Sequence, residues 1–128
     1  MDKTIDVMIL EHHQVEDTDK SYILVRSGQF HDSTFLDECY KAIGCDCVTV
    51  ARLPLGIDAW VDDMGLLKSN NPCVYLFDIF TGEMAYPTPL AGNIVFSSSN
   101  EEGETVSLNN EQLMFIDFLG TQYAGHTR

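Results

Sequence analysis

The sequence predicts an α+β domain: a mostly antiparallel sheet of about four to six strands with two or three helices packed on it. Three observations carry that prediction. The stretch Thr34–Asp63 holds a helix, its stop, a strand, a tight turn and a second strand. Short β-rich runs bounded by turn residues flank it on both sides, SYILVR (Ser21–Arg26) and GNIVFS (Gly92–Ser97). A last apolar run follows a pair of asparagines, Asn109 and Asn110.

Ile5 to Leu10 reads as a first strand, and Glu11 to Lys20 as a polar loop containing the adjacent His12 and His13. In an extended chain two adjacent residues point to opposite faces, so these histidines make a poor metal pair and are expected at the surface. Ser21–Arg26 is the next strand, ended by Ser27-Gly28-Gln29. The helix expected over 34–43 is the clearest local signal. Phe35, Leu36, Cys39, Tyr40 and Ile43 recur with a 3.6-residue period, while Asp37, Glu38 and Lys41 fall opposite. Ser33 or Thr34 can cap its start, Asp37 and Glu38 suit the positive end of its dipole, and Gly44 can end it. Cys45 to Leu53 alternates as a strand; Pro54 and Gly56 turn the chain, and Ile57 to Val61 returns.

Asn70-Asn71-Pro72 is a good helix start, with Asn71 as cap and Pro72 at the first helical position. The following CVYLFDIF is apolar nearly all round and reads as a buried helix or a strand; the Asn-Pro start favours the helix. After the strand Gly92–Ser97, the polar turn Ser98–Glu104 lets Thr105–Leu108 pair back as a hairpin. Asn109 with Gln112 forms a capping-box pattern for a helix over 110–119. That helix carries Leu113, Met114, Phe115, Ile116, Phe118 and Leu119, more than one stripe buries, so either it is deeply enclosed or part of it faces a partner chain, in a homodimer through residues 110–119. The chain thus reads as one domain over 1–128, with an N-terminal extension and loop at 1–20, a core at 21–119 and a frayed tail at 120–128.

Charge bounds the function. Twenty acids against seven Lys and Arg give a net charge of −13. The excess is spread: residues 1–68 hold thirteen acids and six bases, and residues 69–128 hold seven acids and one base, Arg128. Direct nucleic-acid binding and attachment to anionic membranes are both disfavoured, because each needs clustered Lys and Arg. No apolar run approaches the ~20 residues that span a bilayer, and the charged start, Asp2, Lys3 and Asp6, is not a secretory signal, so a soluble intracellular protein is expected. The four cysteines offer no paired C-x2-C spacing; Cys39, Cys45 and Cys47 are expected to be buried, reduced core residues, with no metal and no cofactor. None of the P-loop, G-x-S-x-G, G-x-G-x-x-G or H-E-x-x-H patterns occurs. Asp58 and Asp62 share a strand face but supply two carboxylates where a hard cation wants three or more oxygens. The expectation is a protein that is not an enzyme.

Four segments resemble a small family of domains of unknown function carried by bacteriophages, prophages and conjugative elements. They are Ile23–Gln29, Leu36–Val50, Ile57–Pro72 and Pro89–Ser97, with Gly44, Asp62, Gly65, Asn71 and Gly92 at the family's turn and cap positions. The chain departs from the pattern at Gly44-Cys45, where the family usually has two glycines. The resemblance implies a mobile-element origin, a bacterial host's cytoplasm, and a role in host takeover or defence evasion. It implies no catalytic residue.

Taken with the charge, this predicts an acidic accessory protein that binds and blocks a basic host protein, presenting carboxylates as duplex DNA presents phosphates. The candidate contacts are the acid clusters Glu16, Asp17 and Asp19; Asp62 and Asp63; and Glu101, Glu102 and Glu104. The alternative is a small-ligand binder, such as a sponge for a defence nucleotide, with Arg52 beside its Pro-Gly turn as the first ligand contact.

Overall fold

The structure, a computed structural model, describes residues 2–18 and 20–127. The chain enters through a long hairpin, β1 (Thr4–Gln14) and β2 (Ser21–His31), paired from Thr4↔His31 to Gln14↔Ser21. Residues 11–14, expected in a loop, are therefore strand, and the expected N-terminal extension is an interior strand of the main sheet. Gly28 does not end β2. It sits opposite Val7, and a Cβ there would lie 3.3 Å from Ile9 Cδ1, so the bare backbone leaves room for its neighbours.

A single 3-10 turn leads into α1 (Phe35–Ile43), which buries Phe35 and Cys39 and stops at Gly44 in the left-handed conformation (φ 82°). The expected side-chain cap from Ser33 or Thr34 is not made. The Glu38 carboxylate instead accepts from the His31 N–H at 2.6 Å and from Thr34 Oγ1 at 3.1 Å. β3 (Val48–Arg52) and β4 (Ile57–Asp62) form the expected hairpin through Pro54–Gly56. β3 begins at Val48 rather than Cys45, because Cys45–Cys47 are spent on the descent from the helix.

The helix expected after Pro72 is β5 (Pro72–Asp78). Pro72 takes the first strand position, where its missing N–H is tolerated, and the apolar run becomes the central strand of a three-stranded sheet. Asn71 caps no helix; its Nδ2 donates to the Gly65 carbonyl at 3.0 Å. β6 (Leu90–Ala91), β7 (Ile94–Ser99) and β8 (Thr105–Val106) follow, β7 and β8 as the expected hairpin. α2 (Asn110–Asp117) starts with the expected capping box: Asn109 Oδ1 accepts from Gln112 N at 2.8 Å, and Gln112 Oε1 from Asn109 N at 2.9 Å. The tail expected to fray is β9 (Leu119–His126), paired along β5 from Asp78↔Leu119 to Pro72↔His126.

Among the described residues the strands form two antiparallel sheets instead of one. The larger runs β2-β1-β7-β4-β3, with β8 beside β7; the smaller runs β6-β5-β9. Strand alternation feeds two cores. Leu10, Ala59, Ile94 and Phe96 point from the larger sheet toward Val74, Leu76 and Leu90 of the smaller one, with Ile116 of α2 closing that core. Val7, Ile9 and Val95 point the other way, onto Phe35 and Cys39 of α1. The result is three layers, helix on sheet on sheet, and both helices pack as expected.

Candidate functional site

The acid clusters fall at separate places. Glu16 and Asp17 are exposed at the tip of the β1–β2 hairpin, with Asp17 in the left-handed region (φ 62°). Asp19 lies outside the described residues. Glu101, Glu102 and Glu104 are exposed on the β7–β8 turn, beside the start of β1, where Leu108 N donates to the Asp6 carbonyl at 3.1 Å. β1 holds the two clusters about 30 Å apart or more, at some 3.3 Å per residue. They form one acidic surface only for a large partner.

Asp62 is not the exposed acid expected of it. Its side chain is 6% exposed, paired with Lys68 Nζ at 2.5 Å, and its Oδ1 accepts from Met64 N at 2.9 Å. The carboxylate is used up holding the turn after β4, and Lys68 is held protonated above its ordinary range by that hydrogen bond. Asp63 is exposed. Arg52 is exposed too, and pairs across the hairpin with the buried Asp58 at 3.1 Å. It lines neither of the two large cavities.

What the structure does assemble is a groove of about 860 Å³ between α1 and the β7–β8 turn. Asp32 from the 3-10 turn, Asp37 from the first turn of α1 and Glu104 from β8's approach all reach it, against one cation, Lys3. Phe35 and Trp60 form its apolar wall, their rings edge to face at 5.3 Å, and Trp60 is fixed by Nε1 donating to Ser97 Oγ at 2.8 Å. The acid turn itself is pre-set. Asn100 Oδ1 accepts from Glu102 N at 3.1 Å and Glu104 N at 2.9 Å, which fixes the backbone of the turn, and Asn100 Nδ2 donates to the Glu104 carboxylate at 3.3 Å. At the far lip Asp2 accepts from Ser33 Oγ at 2.8 Å and Ser33 N at 3.1 Å, with His31 nearby, and these hold its carboxyl below the usual range. Sequence reasoning missed Asp32, Asp37 and Trp60 as neighbours of Glu104, because they converge only through the α1-to-β7 packing.

The cysteines divide. Cys39 and Cys73 are buried, Cys45 is half-buried and Cys47 is exposed, which corrects the expectation for the last two; all four are free thiols. Burial pushes Cys39 up to about 12, with smaller contributions from Cys45 and Glu38. Among the described residues no group of three or more His, Cys, Asp or Glu is arranged to hold a metal ion, and no helix is long and apolar enough to cross a membrane.

The model of a family described as a domain of unknown function, DUF3846, matches residues 11–124, and the chain belongs to that family. No curated protein and no solved structure matches it.

Proposed function

We propose that this DUF3846 domain is a non-enzymatic acidic binding protein that occupies the surface of a basic partner protein, and that the groove between α1 and the β7–β8 turn is its principal contact. The observation that carries the reading is the convergence of Asp32, Asp37 and Glu104 from three elements onto one groove with an aromatic wall. A partner's arginine entering there meets carboxylates at the rim and a ring face at the wall, the two environments a guanidinium favours. The pre-set turn lowers the ordering cost of binding, and the net charge of −13 speeds encounter with a basic surface. Glu16, Asp17 and Asp63 serve as outlying contacts. The same acidity argues against direct nucleic-acid or membrane partners.

The resemblance to domains carried by phages and conjugative elements adds the setting: a bacterial host's cytoplasm, and a part in host takeover or defence evasion. The reading is tested by identifying the basic partner and measuring its association rate across ionic strength, with Glu101, Glu102 and Glu104 changed to Gln and Asp32 and Asp37 to Asn. We expect a rate that falls with salt and falls again in the variants. A rate indifferent to both removes these acids as the recognition surface.

Self-association through residues 110–119 is a second reading, and one observation favours it. Leu113, Phe115 and Ile116 turn into the core, but Met114 and Phe118 stay exposed and line a small cleft with Leu55 and Phe80. Phe118→Glu should turn a concentration-dependent dimer into a monomer by sedimentation. A wild-type protein that is monomeric at every concentration ends this reading.

A further inference from the structure

Four exposed apolar side chains, Leu55, Phe80, Met114 and Phe118, converge from three separate elements on one cleft of about 230 Å³. Phe80 is 73% exposed and Phe118 42%, and their rings meet at 5.0 Å and 59°. The cleft is smaller than small-molecule sites, which run to roughly 300–1,000 Å³. It suits one bulky side chain of a larger partner, the way an interface anchor fills its pocket.

Each of these side chains is held out by a fixed backbone. Phe80 rides on the turn that leaves β5. There Asp78 Oδ1 accepts from Phe80 N at 2.8 Å and Thr81 N at 3.3 Å, and Gly82 N donates to the Asp78 carbonyl at 2.7 Å. Met114 and Phe118 stand one turn apart, on α2 and at its C-cap, with Phe118 N donating to the Met114 carbonyl at 3.2 Å. Leu55 sits in the β3–β4 turn at φ 65°, a left-handed conformation that asparagine or glycine ordinarily fills. Its carbonyl accepts from the buried Gln112 Nε2 at 2.9 Å, which holds it in that conformation from the α2 side. A turn selected only for its own stability would carry Asn or Gly at position 55; the leucine adds apolar surface to the cleft.

The rim points to the partner. Two carboxylates, Asp78 and Glu111, line the cleft, and no lysine, arginine or histidine does. Residues 69–127, which include α2 and the turn after β5, contain no Lys or Arg. Apolar surface edged by carboxylates complements a segment whose bulky apolar side chain is flanked by Lys or Arg. A second copy of the chain fits less well, because an isologous contact sets acid rim against acid rim and each copy carries −13.

We propose that this cleft docks a basic protein segment, with one leucine or aromatic side chain seated among Leu55, Phe80 and Phe118 and flanking Lys or Arg side chains on Asp78 and Glu111. It shares no lining residue with the acidic groove, so it stands independently of that contact.

The test is NMR titration of the full chain, methyl-labelled at methionine, with the end-blocked peptide RKLFKR and two controls, RKAAKR and EELFEE. RKLFKR should shift the Met114 methyl signal saturably, and each control should bind about tenfold more weakly. Phe80→Ser removes an exposed ring and no charge, and should weaken RKLFKR about fivefold. Leu55→Gly should weaken it too without lowering the urea midpoint, since glycine adopts the left-handed backbone freely. The Trp60 indole signal in the same titration reports the acidic groove. Saturable shifts at Met114 uphold the proposal whatever Trp60 does, whereas shifts at Trp60 alone assign the peptide to the groove and overturn it. No saturable Met114 shift up to millimolar RKLFKR also overturns it, as does equal binding of RKAAKR or EELFEE, or unchanged affinity in Phe80→Ser and Leu55→Gly. A Met114 signal that moves on dilution of the chain alone, and that RKLFKR does not affect, gives the cleft to a second copy and overturns it likewise.

Discussion

Gln112 Nε2 donates to Ser98 Oγ at 2.8 Å and to the Leu55 carbonyl at 2.9 Å, from a side chain only 3% exposed. One amide therefore ties α2, β7 and the β3–β4 turn together, while its Oε1 completes the capping box on Asn109. Gln112→Ala removes the cap's return bond and strands buried polar groups on two other elements. We expect a loss of roughly 2–4 kcal/mol in urea unfolding, against about 1 kcal/mol for Asn109→Ala.

Gly120 lies opposite Phe77 in the β5–β9 pair, and a Cβ there would meet the Phe77 ring at 2.3 Å. The ring's Cζ, Cε2 and Cε1 all lie within 3 Å of that position, so the ring must move for a methyl to fit. Gly120→Ala should cost about 1–3 kcal/mol, the range for overpacking, and Phe77→Leu should restore part of it in the double variant. Additive losses in urea unfolding would show that the two positions do not press on each other.

Native thiol labelling should separate the cysteines. Cys47 is exposed and should react with iodoacetamide first; Cys39 is fully buried with its thiol pushed up to about 12, and should react only on unfolding. Mass spectrometry of the peptides after short exposure reads the order directly.

Burial pushes the His12 imidazole below its ordinary 6.5, with His126 and His13 adding to the effect. Above that value both the folded and unfolded chains carry it neutral, and it makes no difference to stability. As pH falls below 6.5 the unfolded chain takes up a proton that the folded protein resists, so stability is lost progressively until the folded pKa is passed. Thermal melts of wild type and His12→Phe should therefore diverge below about pH 6.5, with the wild type falling faster. Parallel curves down to pH 5 or so would place His12 in solvent-like surroundings.

Where local chemistry decides, the sequence could be read. α1 shows its period, its Gly44 stop is a matter of backbone sterics, and the Asn109–Gln112 box is a pattern of four residues. β5 could not be read the same way. An apolar run of this length fits a strand or a helix equally, and Asn-Pro starts both; the partner that settles it, β9, lies more than forty residues on. β9 itself, LGTQYAGH, has weak strand composition and exists because β5 needs an edge partner. The acids were legible as charge but not as a site, since Asp62 and Asp63 look alike in sequence and differ in that Lys68 and the Met64 N–H both reach the buried one, Asp62. His12 and His13 likewise differ by one pleat: the first turns into the gap between the sheets, the second onto Tyr22.

Among the described residues β2 ends the larger sheet, and its eleven residues present an unpaired backbone edge carrying one charge, Arg26, with Tyr22, Leu24 and Val25 exposed along it. Such an edge is a template on which a second copy could add a strand and a third could follow. The strand has no proline and few of the inward charges that usually blunt it. What keeps two molecules apart is then the field of the whole chain, since each copy brings a charge of −13 to the encounter. Acidification or high salt weakens that repulsion while leaving the edge intact, so fibrillar assembly should begin under conditions where each subunit is still folded.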